Sequence, residues 1–133
     1  MNRMALAVAI TVLATLPAMA DGGITVRLPD VSALSDAEAK ALIAELADVN
    51  VITSNCPAYP ISDGEWTLLT GTGDRLAAKL GLDATAYDRA YYGPAFKLLD
   101  DAGACDRIGP KARPLIQRLI GMGGGTTALS QSQ

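Results

Sequence analysis

The chain contains no histidine. That single absence removes the commonest general base and the commonest zinc ligand together. Aromatic residues are scarce: one tryptophan, one phenylalanine and four tyrosines, Tyr59, Tyr87, Tyr91 and Tyr92. There are two cysteines, in neither the C-x-x-C spacing of a redox motif nor the C-x-x-C-H spacing of a haem attachment. No S-x-x-K motif offers a serine–lysine nucleophile, and no EF-hand loop pattern occurs. Gly71-Thr72-Gly73 lacks a preceding strand and a Gly-Lys-Ser/Thr ending, so it is not a phosphate loop. No apolar run reaches the roughly 20 residues that a spanning helix needs. After Asp106 there is no acidic residue at all.

What is present begins with an export signal. Arg3 supplies a positive n-region, residues 5–16 run without a charge, and Pro17 leads into Ala18-Met19-Ala20. A charged start, a short apolar core and an A-x-A site predict a signal peptide cleaved after Ala20. Retention of residues 5–20 as an anchor is the competing reading. The mature chain, residues 21–133, is of single-domain size and buries about 65% of its unfolded surface, enough for one core. Export carries Cys56 and Cys105 into an oxidising compartment, where an even count predicts pairing. Two buried free thiols are the alternative.

Residues 21–34 read as an extended lead-in, because Gly22-Gly23 and Pro29 discourage helix. Ser35 with Glu38 three positions on is a capping box. Leu42, Ile43, Leu46, Val49 and Ile52 follow at helical spacing, predicting a helix over 36–54 that Pro57 stops. Asp36 and Lys40 are spaced for a helical ion pair. The box recurs at Ser62 and Glu65, and predicts a second helix over 63–80 ended by Gly81. Its apolar stripe is Trp66, Leu69, Gly73, Leu76, Ala77 and Leu80, with Gly73 making room for a neighbouring helix. Asp83 can cap a third helix, with Tyr87, Ala90 and Tyr91 on one side. Of Tyr91 and Tyr92, one is expected in the core and one at the surface. Gly93-Pro94 interrupts this helix, and Pro94 opens a fourth through Ala95, Leu98 and Leu99. A last helix is expected over 111–121, and GGGTTALSQSQ, residues 123–133, reads as a flexible tail. The fold class is therefore all-α: four to five short helices over residues 35–122, with one disulfide.

Candidate chemistry is thin. Asp100, Asp101 and Asp106 offer oxygen ligands to a hard cation, but a solvated helix end with a Lys97–Asp101 pair explains them too. Asp63 and Glu65 beside Trp66 are the carboxylates best placed for acid–base hydrolysis, yet both have roles at a helix start. The charge split is stronger. Residues 21–106 carry fourteen acids against six bases, a net −8; beyond them stand only Arg107, Lys111, Arg113 and Arg118. On a continuous helix Arg107, Lys111 and Arg118 share one stripe, a possible interaction face. Equally, the basic end can lie on the acidic body.

The order of parts resembles uncharacterised families of small exported two-cysteine helical proteins of alphaproteobacteria. The shared features are the export signal, a capped helix ending near a cysteine, Leu80-Gly81 closing a second helix, an Asp-capped aromatic helix, and Cys105-x-x-x-Gly109 before a final apolar helix. The resemblance implies a helical periplasmic fold and carries over no catalytic residue. The expectation is a non-catalytic periplasmic protein, binding another periplasmic or membrane-complex protein, with no cofactor and no metal. Net acidity gives no reason to expect nucleic acid, and signal cleavage leaves no stable membrane insertion. A small carboxylate-dependent hydrolase and a membrane-complex subunit keeping its N-terminal helix are the alternatives.

Overall fold

The computed structural model describes residues 23–129, which are helical with no strand among them. The expected signal segment, residues 1–20, lies outside the described residues. Helix α1 spans Asp36–Asn55 and α2 spans Asp63–Lys79. Both start at the capping boxes. The Ser35 hydroxyl accepts from the Glu38 N–H at 3.1 Å while Glu38 Oε2 accepts from the Ser35 N–H at 2.8 Å. Ser62 and Glu65 repeat this at 3.2 and 2.9 Å. Two otherwise orphaned donors are satisfied at each start. Cys56 caps the end of α1 in an extended conformation, as Pro57 requires of the residue before it. Gly81, at φ +68°, lies just beyond α2.

The third helical stretch corrects one expectation. Gly93-Pro94 does not break the chain into two helices. Helix α3, Ala84–Tyr87, starts on the Asp83 side chain and runs through a π-turn over Asp88–Tyr92 into α4, Gly93–Lys97. The Gly93 N–H donates to the Asp88 carbonyl five residues back. That wider turn accommodates Pro94, whose ring would collide with the carbonyl four residues earlier in a regular α-helix. A 3-10 turn, Leu98–Asp100, ends the stretch. The last stretch also starts earlier than expected. Helix α5, Ala104–Ile108, and a 3-10 turn, Gly109–Lys111, precede α6, Ala112–Gly121. Cys105 therefore sits in a helix rather than in a connection.

Helix α1 is the centre of the molecule, with Leu42, Ile43, Leu46, Val49 and Ile52 fully buried. Around them pack Leu68, Leu69 and Leu76 of α2 and Leu115, Ile116 and Leu119 of α6. The buried face of α2 keeps Leu69, Gly73, Leu76 and Ala77 of the expected stripe and departs from it at the start of the helix. Trp66 is 46% exposed, whereas Leu68 and Thr72 are buried. Thr72 tolerates this because its hydroxyl donates to the Leu68 carbonyl at 2.6 Å. Gly73 does make room for a neighbour, but the neighbour is the Tyr87 hydroxyl from α3 rather than a helix backbone. Burial pushes the Tyr87 phenol well above its usual range, with Tyr92 adding to the effect. Tyr91 and Tyr92 do not divide between core and surface; both are half-buried. Tyr92 accepts a 2.8 Å bond from the Asn50 amide and stacks at a tilt on Tyr87, with ring centroids 5.2 Å apart.

The segment after α6 was expected to be a loose tail. Instead residues 123–129 lie antiparallel to the lead-in. Asp30 N–H donates to the Met122 carbonyl at 3.2 Å, Gly125 N–H to Arg27 at 2.8 Å and Leu129 N–H to Thr25 at 2.7 Å. The lead-in is in turn buried at Val26 and Val31, and held on α2 by Arg75 and Lys79, which donate to the carbonyls of Pro29 and Ser32. Side-chain-free positions permit this closeness. A Cβ on Gly64 would run into the Thr126 carbonyl, and one on Gly124 would sit 2.8 Å from the Leu119 carbonyl.

Candidate functional site

Cys56 and Cys105 form a disulfide with Cα atoms 5.8 Å apart, so the pairing expected from cysteine parity is present. It ties the end of α1 to α5 across 49 positions of sequence. In the chain-entropy account, a loop of that size stabilises by about 4 kcal/mol. It also sets the distance between α1 and the corner that leads into α6. Cys56 is buried and Cys105 partly shielded.

Between α1 and the stretch that follows Cys105 is a cleft of about 600 Å³. Glu45, Asp48 and Val49 of α1 form one wall; Ile108, Pro110, Lys111 and Pro114 form the other. The lining is mostly apolar. Two prolines at the rim limit its backbone freedom. Glu45 and Asp48 share a face of α1 because they are three residues apart. Asp48 is half-buried and accepts no hydrogen bond among the described residues. Burial raises its carboxyl above the ordinary range; the charge of Lys111 opposes this and that of Glu45 adds to it. Across Pro110 lies a second hollow of about 360 Å³, lined by Tyr59, Pro60, Ile61 and Arg113 among others.

The basic residues of the last stretch meet acids of the body. Arg107 pairs with Asp101 at 2.8 Å, and Arg118 lies 4.0 Å from Glu45. Arg113 forms a two-pronged pair with Glu65, one prong at 2.9 Å. Lys111 has no ion pair within 4 Å among the described residues and lines the cleft. Arg107 belongs to α5 whereas Arg118 belongs to α6, with the 3-10 turn between them. The stripe drawn on one continuous helix is therefore interrupted. Arg107 and Arg118 remain about half-exposed, at 53% and 50% of the side chain.

The other singled-out carboxylates are engaged. Glu65 is held below the usual carboxylate range, first by the Arg113 guanidinium and then by the Ser62 N–H. A general acid needs the opposite displacement. Asp101 accepts from the Gly103 N–H as well as from Arg107, and these lower its carboxyl. The expected Lys97–Asp101 pair gives way to Arg107, and Asp36 with Lys40 is not among the ion pairs of the described residues. Asp106 accepts the Tyr59 hydroxyl at 2.8 Å.

Glu45 and Asp48 were not singled out from sequence. Their spacing beside Val49 is visible there, but their meeting with residues 108–114 is a long-range event that no local pattern encodes. No protein-family model, no characterised protein and no solved structure matches the chain.

Proposed function

We propose that this is an exported helical protein that acts by binding another protein, of the periplasm or of a membrane complex, and performs no chemistry of its own. The observation that carries the reading is the 600 Å³ cleft between α1 and the 108–114 corner. It is concave and mostly apolar, with Glu45, Asp48 and Lys111 on its walls, a composition that suits a ligand group or a side chain of a partner. Its walls are fixed relative to each other by the disulfide and by proline. A pre-formed wall loses little entropy when a partner binds. The disulfide itself fits an oxidising compartment. The hydrolase alternative loses Glu65, which Arg113 keeps ionised, but retains Glu45 and Asp48 in the cleft, where burial displaces Asp48 in the direction a general acid needs. Binding is preferred because the exposed lining of the cleft is mostly apolar. The anchored-subunit alternative depends on residues 5–20, which lie outside the described residues.

The test combines localisation and capture. Intact-mass analysis of the exported protein should give a chain beginning at Asp21. The tagged protein, cross-linked in periplasm, should capture a defined partner, and Pro114→Glu at the cleft rim should abolish capture without lowering the melting temperature. Absence of any captured protein after cross-linking overturns the reading.

A further inference from the structure

Resting on that protein-binding reading, we propose that the cleft docks a partner segment in which a lysine or arginine stands beside an apolar side chain. The apolar part is dictated by the exposed prolines, Pro110 and Pro114, above a floor closed by the buried Val49 and Ile108. An aliphatic or aromatic group placed there removes apolar surface from water on both sides, the main source of affinity in such a groove. The cationic part follows from the α1 wall. Glu45 and Asp48 stand together on it, and neither is properly matched. Among the described residues Glu45 has only Arg118, at the 4.0 Å limit of an ion pair. Asp48 accepts no hydrogen bond among the described residues.

The resident cation is Lys111. Its charge reaches Asp48 but does not offset the cost of burying that carboxylate, which stays raised. Lys111 itself is exposed, so its ammonium can leave for solvent. A partner cation entering between the walls takes over the role with better geometry, and its methylene stem lies along the prolines. Arginine and lysine are suited to this because an apolar stem carries the charge. An acidic segment is disfavoured, since it would meet Asp48, which is in no ion pair among the described residues, beside Glu45, which Arg118 answers only at 4.0 Å. Lys111 thus acts as a weak internal competitor for the site.

Three capped tripeptides serve as probes: acetyl-Leu-Arg-Leu-amide, acetyl-Leu-Gln-Leu-amide and acetyl-Leu-Glu-Leu-amide. Binding to the mature protein is followed through the backbone amide signals of Val49, Ile108 and Lys111 in NMR titrations. The arginine peptide should move these signals with affinity about tenfold above the glutamate peptide, a difference of about 1.4 kcal/mol. Asp48→Asn should bring the arginine peptide down to the level of the glutamine peptide. Lys111→Gln should tighten it. Raising salt should weaken the arginine peptide and leave the glutamine peptide nearly unchanged. Equal or tighter binding of the glutamate peptide overturns the proposal. So does a set of shifts elsewhere on the protein, or an unmoved spectrum. If a partner is still captured from periplasm in that case, only the assigned site falls; if none is captured, the protein-binding reading falls with it.

Discussion

Where α6 faces the start of α2, acid and base are matched, Arg113 against Glu65. Glu65 receives the Ser62 N–H and two Arg113 nitrogens, and Gly64 packs directly under the Thr126 carbonyl. Where the approach to α6 faces α1, the acids are left open. Among the described residues, Asp48 is half-buried without a hydrogen bond, and Lys111 stands nearby without an ion pair. Both seams join a basic C-terminal stretch to an acidic body, so charge sign alone does not distinguish them. Geometry does. The first is a locked seam whose carboxyl is lowered; the second is an open seam whose carboxyl is raised. A matched pair contributes to holding the fold, while an unmatched one is available to something else.

The largest effect should come from cutting the tie that both seams depend on. Cys56→Ser should lose about 4 kcal/mol. The check is a denaturant melt of the oxidised wild type, the reduced wild type and the variant. Reduced wild type and variant should coincide, well below the oxidised protein. Overlap of all three would mean that α1 and α5 hold together without the link.

Next is the close packing of the locked seam. A methyl on Gly64 meets backbone, which cannot swing away, so Gly64→Ala should overpack and lose about 1–3 kcal/mol. Gly121 has nothing within 4 Å of the same added atom. Gly121→Ala should therefore be neutral or gain up to about 1 kcal/mol from helix propensity. Gly71→Ala falls between them, because the added atom meets only the methyl ends of Leu28, at 2.7 and 3.1 Å. Similar melting temperatures for the Gly64 and Gly121 variants would show that residues 123–129 yield freely, and the seam would not be locked.

The locked pair itself comes third. Arg113→Ala should lose about 1 kcal/mol, since Arg113 is 60% exposed and the pair is partly screened. Glu65 has a folded value below its unfolded one. Its contribution is present above the unfolded carboxylate range and is lost as pH falls through the folded value. The gap between wild type and Arg113→Ala should therefore narrow in acid. A gap independent of pH would assign the loss to packing of the arginine stem instead.

What sequence made legible was what is encoded locally. Ser35 with Glu38 and Ser62 with Glu65 announce their helices because both halves of each box lie within one turn. Cysteine parity sufficed for the disulfide, since two cysteines allow one pairing. The misread parts depend on distant partners. Glycine-rich residues 123–125 suggest a linker by composition; Gly124 packs closely because Leu68 of α2 and Pro29 of the lead-in lie opposite, and Thr126 sits against Gly64. Trp66 suggests a core residue by hydropathy; it is exposed, while Leu68 and Thr72, whose hydroxyl donates to the Leu68 carbonyl, take places on the buried face. Pro94 suggests a break, and a π-turn absorbs it. The cleft fell in the same class: Lys111 was noticed for its charge, but its opposite wall, Glu45 and Asp48, arrives from more than sixty residues earlier.

The smallest effect discriminates best between the seams, because its sign is opposite. Asp48 has a folded value above its unfolded one, so ionising it costs the folded state. The sign is therefore reversed from Glu65. Stability is fully present below the unfolded carboxylate range and is lost as pH rises through the folded value. Asp48→Asn removes an ionisable group that the fold does not favour in its charged form. At neutral pH it should raise stability by a few tenths of a kcal/mol, a figure kept small by solvent screening of this half-exposed group. Near pH 3, where the carboxyl is mostly protonated in both states, the gain should vanish. The same substitution should weaken the arginine peptide in the cleft. A residue that costs stability and supports binding is the pattern expected where function has shaped the position. Urea melts at the two pH values, run beside the peptide titration, read both effects from one variant. A loss of stability at neutral pH would mean that Lys111 already matches Asp48, and the seam is closed rather than open.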